Sequence, residues 1–239
     1  MIREIPGGRV ERHFEQELEA LKEQLLLMGG RSEAIVAKSI EALRRRDAAL
    51  AREVFDDDRV IDRQELDIEE RCLRLLALQQ PLARDLRFIT AALKINNDLE
   101  RVGDHAVNIA GSALRLADQP QLKPLVDIPK MAKLSAGMLH EALDAFVLGD
   151  APTARQLVRR DDEVDQLNGQ VFRELLTYMM EDPATITRAM ELILVARNLE
   201  RVADLATNVA EEVVFIAEAR VIKHHAEEAA AGGDDFSRS

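Results

Sequence analysis

Between residues 82 and 117, apolar side chains return every seventh position along two neighbouring rows. One row runs Leu86, Leu93, Val107 and Leu114, broken only by Glu100; the other runs Ile95, Val102, Ile109 and Leu116. That period lays an apolar stripe along one side of a helix. The stripe has a polar neighbour in Asn97, Arg101, Asp104 and Asn108, so acids stand at the rim of an otherwise packed surface. Turn residues divide the rest of the chain. Arg44-Arg45-Arg46 followed by Asp47 reads as a basic helix end and then a cap. Pro81 and Pro183 suit the first position of new helices, with Asp182 as a cap, and Gly149-Asp150-Ala151-Pro152 reads as a stop and a restart. Pro120, Pro124 and Pro129 mark a linker. The pattern predicts six helices, at 10–46, 48–79, 82–117, 128–148, 151–181 and 184–222, with Gly29-Gly30 bending or weakening the first. Each half then reads as an antiparallel three-helix bundle, 10–118 and 126–222. The remainder, 223–239, lacks periodicity and is expected to be a disordered tail.

The two halves repeat one another. Ile40-Glu41-Ala42-Leu43, Asp47-Ala48, Val54, Asp58 and Ile61-Asp62 return 103 residues later as Leu143-Asp144-Ala145-Phe146, Asp150-Ala151, Leu157, Asp161 and Val164-Asp165. Leu99-Glu100-Arg101-Val102-Gly103-Asp104 returns after 100 residues as Leu199-Glu200-Arg201-Val202-Ala203-Asp204. Three residues are therefore absorbed near the second hairpin.

Composition agrees with an all-α protein. Charged residues make up 32% and apolar ones 47%, with only 11 Gly and 7 Pro to interrupt helices. Aromatics are 3%, Trp is absent and the net charge is -12, which argues against phosphate-backbone and base-stacking modes of nucleic-acid binding. The lone Cys72 excludes an intrachain disulfide and a thiolate metal cluster, and its place in an apolar helical pattern predicts a small buried hydrophobe. A reducing, cytoplasmic setting is expected, since no stretch reads as a secretory leader or membrane span.

Charge also singles out candidate chemistry. Each half holds two acid pairs at a spacing of four: Asp58 with Asp62 and Glu100 with Asp104, then Asp161 with Asp165 and Glu200 with Asp204. Such pairs share one helix face and repel by roughly 0.2–0.5 kcal/mol. About 20 residues separate the first pair from the turn at 80–81, and about 21 separate that turn from the second; around Pro183 the arms are about 19 and 19. Equal arms put both pairs of a half at one height, although the count does not fix whether they face each other. Uncompensated acids at a core rim are costly unless a cation or an Arg is near, with Arg101 and Arg201 as candidate partners. The oxygen-only set predicts a metal: Mg, Mn, Ca, Fe or Zn. Asn108 and Asn208, one turn beyond, are auxiliary candidates. His105 has Leu205 as its counterpart, so it serves at most one site. Glu65 and Glu69 read as a solvated face.

On these residues the chain resembles the PhoU family of phosphate-uptake regulators. The match is carried by Asn97-Asp98-Leu99-Glu100-Arg101-Val102-Gly103-Asp104-His105-Ala106-Val107-Asn108 and Arg197-Asn198-Leu199-Glu200-Arg201-Val202-Ala203-Asp204, with Asp58-x-x-x-Asp62 and Asp161-x-x-x-Asp165 upstream. The resemblance implies tandem three-helix bundles and multinuclear metal clusters on these eight acids. It also implies restraint of phosphate-starvation signalling through the phosphate ABC transporter ATPase and a membrane sensor histidine kinase, and a homodimer. A non-catalytic adaptor is expected, because no nucleophile elbow, P-loop or triad is present. The alternatives are a ferritin-like di-metal enzyme, which would need a Glu-x-x-His that is missing here, and a metal-free helical scaffold.

Overall fold

The computed structural model describes residues 7–79 and 81–219. They form α1 (Gly7–Arg45), α2 (Ala48–Gln79), α3 (Ala83–Leu116), α4 (Asp127–Leu148), α5 (Ala151–Val158), α6 (Asp161–Glu181) and α7 (Ile186–Glu218), the last entered through a 3-10 turn at Pro183–Thr185. Helices α1 to α3 form one bundle and α4 to α7 the other. None of these helices is long and apolar enough to cross a membrane. The segment 223–239, expected to be a disordered tail, and the end of the 184–222 prediction lie outside the described residues.

The aspartate caps and the Gly149 stop follow the sequence, whereas Pro81 stands ahead of the Leu82 cap of α3 instead of at its first position. Asp47 Oδ1 accepts from the amides of Ala49 and Leu50, Asp150 from Thr153, and Asp182 from Ala184. Gly149 closes α4 in the left-handed region at φ 65°. Cys72 is fully buried, and burial pushes its thiol up to about 12.

Two further expectations are corrected. The helix predicted at 151–181 is two helices, because Arg159 and Arg160 tighten into i→i+3 bonds, Arg160 N–H donating to Leu157 O at 2.9 Å. Two arginines complement a helix C-terminus, and Asp161, Asp162 and Glu163 complement the N-terminus that follows. The second is Gly29-Gly30, through which α1 runs without interruption. A Cβ on Gly29 would stand 2.3 Å from Leu143 Cδ1, so this glycine lets α4 close on α1.

Helices α3 and α7 are the most deeply buried and join the bundles. Small residues on both, including Ala91, Ala106, Ala110, Ala196, Ala206 and Ala210, are buried and permit close approach. They run antiparallel: Lys94 pairs with Glu212 at 2.9 Å, and Arg115 with Glu191 at 2.6 Å. Positions in that register sum to about 306, which sets Asp104 level with Val202 and brings both acidic motifs to mid-molecule. The first helices pair likewise, with Gly29 against Leu143 and Glu33 3.3 Å from His140.

Candidate functional site

Within the first bundle, the equal hairpin arms do bring the acids face to face. A Cβ on Gly103 would meet Asp58 Oδ1 at 2.5 Å, so α2 lays its carboxylate directly on the α3 backbone beside Asp104. Two turns away, Asn96 Nδ2 donates to Glu65 O at 2.9 Å and fixes the register. Asp58 and Glu100 are half-buried, whereas Asp62 and Asp104 are exposed at the mouth. Burial, then the carboxylates of Asp62 and Asp104, push Asp58 up to about 6. Burial, then Asp104, Glu65, Asp62 and Asp58, push Glu100 up to about 7. Glu65 thus belongs to this electrostatic group, against the expectation of a solvated face. Glu69 is exposed.

The second bundle repeats the arrangement. Burial, then Asp204 and Asp165, push Asp161 up to about 6. Glu200 and Asp204 are raised by burial, with Arg201 acting in the opposite direction on both. Asp161, Glu200 and Asp204 are half-buried and Asp165 is exposed. Asp161 Oδ1 is buried with no hydrogen-bond partner. Asn108 is exposed and Asn208 half-buried, each one turn beyond its acid.

The arginines differ between the halves. Arg201 Nη1 lies 3.2 Å from Asp204 Oδ2, as a counter-charge to the motif should. Arg101 instead reaches back to Asp98 Oδ1 at 3.5 Å and leaves Glu100 and Asp104 alone, which corrects its expected pairing with the site acids. His105 also departs from a local role. Its Nδ1–H donates to Asn198 Oδ1 across the bundle interface at 2.9 Å, since an amide oxygen only accepts. Burial lowers its basicity.

A cation fits these residues in donor chemistry. All eight donors are hard carboxylates, one oxygen is buried without a partner, and glycine makes the room in which Asp58 sits. As the side chains stand, no group of three or more His, Cys, Asp or Glu among the described residues is drawn together tightly enough to hold a metal ion. Carboxylates that raise one another's pKa repel, and a splayed arrangement is the expected outcome.

Sequence reasoning missed Gly103, Asp98 and Asn198. Comparing Gly103 with Ala203, and Asp98 with Asn198, was the available signal.

The architecture is thus an all-α duplicated helical bundle with a facing carboxylate group in each half. The chain belongs to the PhoU family: the family model described as PhoU domain matches residues 25–113 and again 128–213. It is 45% identical over 209 residues to the phosphate-specific transport system accessory protein PhoU homolog of Aquifex aeolicus, covering 87% of this chain and 95% of that one. The homolog of Caulobacter vibrioides is 45% identical over 203 residues, with 84% and 88% covered. The crystal structure of PhoU from Pseudomonas aeruginosa superposes with a TM-score of 0.84 at 39% identity, over 87% of this chain and all of that one. The phosphate transport system regulatory protein PhoU from Streptococcus pneumoniae gives a TM-score of 0.82 at 32% identity, over 87% and 98%.

Proposed function

We propose that this protein is a metal-dependent regulator of phosphate uptake, restraining the phosphate-starvation response by linking the phosphate ABC transporter to its sensor histidine kinase. Family membership supports the regulatory part, because the relatives carry the name of accessory proteins of phosphate-specific transport. The observation that carries the metal part is the pair of facing carboxylate groups, in which Asp58, Asp161 and Glu100 are pushed up to about 6, 6 and 7 by burial and by one another. Asp58, Asp62, Glu100 and Asp104 would hold cations in one half, and Asp161, Asp165, Glu200 and Asp204 in the other. A bound cation supplies positive charge and a cross-link between helices. The chain's own residues do the rest: Gly103 admits Asp58, and the acid pairs present oxygens from both helices of each hairpin. An apolar strip on the second hairpin, with Phe172, Leu176, Met180, Ile186 and Met190 exposed, supports a partner-docking role.

Elemental analysis of protein purified without tag or chelator tests the metal part. Metal is expected in the wild type and lost in an Asp104→Ala, Asp204→Ala variant; equal metal content in the two rejects the site. Deleting the gene is expected to derepress phosphate-responsive genes in phosphate-replete cells, and pull-downs to recover the transporter ATPase or the kinase. Unchanged expression with neither partner recovered rejects the regulatory linkage.

A further inference from the structure

The two halves carry the same Leu-Glu-Arg-Val-x-Asp segment, yet its arginine points in opposite directions along the helix. Position 98 is Asp and position 198 is Asn. In the first half Asp98, almost fully buried, takes Arg101 on the side away from Glu100 and Asp104. In the second half Asn198 offers no charge and its oxygen is occupied by His105 Nδ1–H, so Arg201 turns forward to Asp204 at 3.2 Å. Among the described residues neither Glu100 nor Asp104 has an arginine or lysine within ion-pair distance, whereas Asp204 has Arg201; His105 acts on Asp104 and Asp204 alike and does not distinguish the halves. One carboxylate group is left bare and the other carries its own counter-charge.

We propose that the two carboxylate sites are inequivalent and fill in order, the first-bundle site before the second, with Arg201 as an internal cation that an incoming metal must displace from Asp204. The residue at 98 or 198 sets this difference by deciding which carboxylate the following arginine takes. The inference rests on the metal reading above and adds an order of loading to it. Arg201 and Asp204 are part-exposed and three residues apart on one helix, and such a pair is worth a factor of about two to five in competition with an external cation.

Titration of the full chain with Mn2+, followed by calorimetry and by the EPR signal of free ion, tests this order. The wild type is expected to show two classes of binding separated by about two- to fivefold. Asp104→Asn should remove the tight class and Asp204→Asn the weak one. Arg201→Gln should tighten the weak class towards the strong one without altering the strong one. Asn198→Asp should do the same by a different route, drawing Arg201 back as Asp98 draws Arg101. Two indistinguishable classes in the wild type, an inverted order in the Asn variants, or a weak class unmoved by both Arg201→Gln and Asn198→Asp would each overturn the proposal while leaving metal binding intact. Absence of any bound Mn2+ would reject the metal reading itself, and the loading order with it.

Discussion

Gly103 shows how much one missing side chain decides. With a Cβ in its place, Asp58 Oδ1 would be 2.5 Å away and would have to turn aside. Alanine in mid-helix gains about 1 kcal/mol over glycine, and a carboxylate end moves at little cost. Gly103→Ala is therefore expected to leave thermal stability within about 1 kcal/mol of wild type while weakening cation binding at the first site several-fold, read by calorimetry. The raised acids make a second prediction. Below about pH 4 these carboxyls are protonated in the folded and unfolded chains alike, and their burial costs nothing. As pH rises towards the folded values of about 6 for Asp58 and Asp161 and about 7 for Glu100, the unfolded chain releases protons that the folded chain still holds, so stability falls. The metal-free protein should melt lower at about pH 7 than at about pH 5, and Asp58→Asn with Asp161→Asn should flatten the difference. The eight acids and their common height were legible in the sequence, because spacing and arm length are arithmetic. The roles of Asp98, Asn198 and His105 were not, since each depends on a rotamer or a neighbour from another helix.

Among the elements, the break between α5 and α6 carries neither proline nor glycine. Its signal is the order of charges, Arg159-Arg160 and then Asp161-Asp162-Glu163, which matches a helix end followed by a helix start. Punctuation by turn residues alone therefore reads straight through it. Gly29 misleads in the opposite sense, because a residue that usually interrupts a helix here serves packing between helices. A Cβ there would strike Leu143, which is 4% exposed, and overpacking of this kind costs about 1–3 kcal/mol. Set against the roughly 1 kcal/mol that alanine gains over a mid-helix glycine, Gly29→Ala is expected to destabilise the protein by up to about 2 kcal/mol in urea denaturation. Leu143→Ala, destabilising by itself, should lose less in the Gly29→Ala background, so the two effects should not add.

Across the whole molecule, the packing of one bundle on the other was the part least visible in the sequence. Hairpin connectivity determines which helices meet inside a half, whereas α3 and α7 are both rich in buried alanines that look alike at every position and do not announce their pairing. Its charged reporter is Lys94 on Glu212, a carboxylate only 4% exposed, with the ammonium also 5.3 Å from the Phe215 ring centre. Lys94→Met strands that carboxylate and should cost about 1–3 kcal/mol in chemical denaturation. Pairing it with Glu212→Leu should recover most of the loss, because both ends of the pair are then apolar.

Antiparallel contact between equivalent helices, α3 on α7 and α1 on α4, is the contact that two identical subunits make about a two-fold axis. Two copies of one gene product are bound to carry the same residue at each equivalent place. A single chain that holds both copies is not, and so it can keep Asp at 98 with Asn at 198, and His at 105 with Leu at 205. Covalent fusion retains the geometry of a symmetric pair while releasing its halves to diverge, and that freedom is what allows the two carboxylate groups of one molecule to keep different charged neighbours.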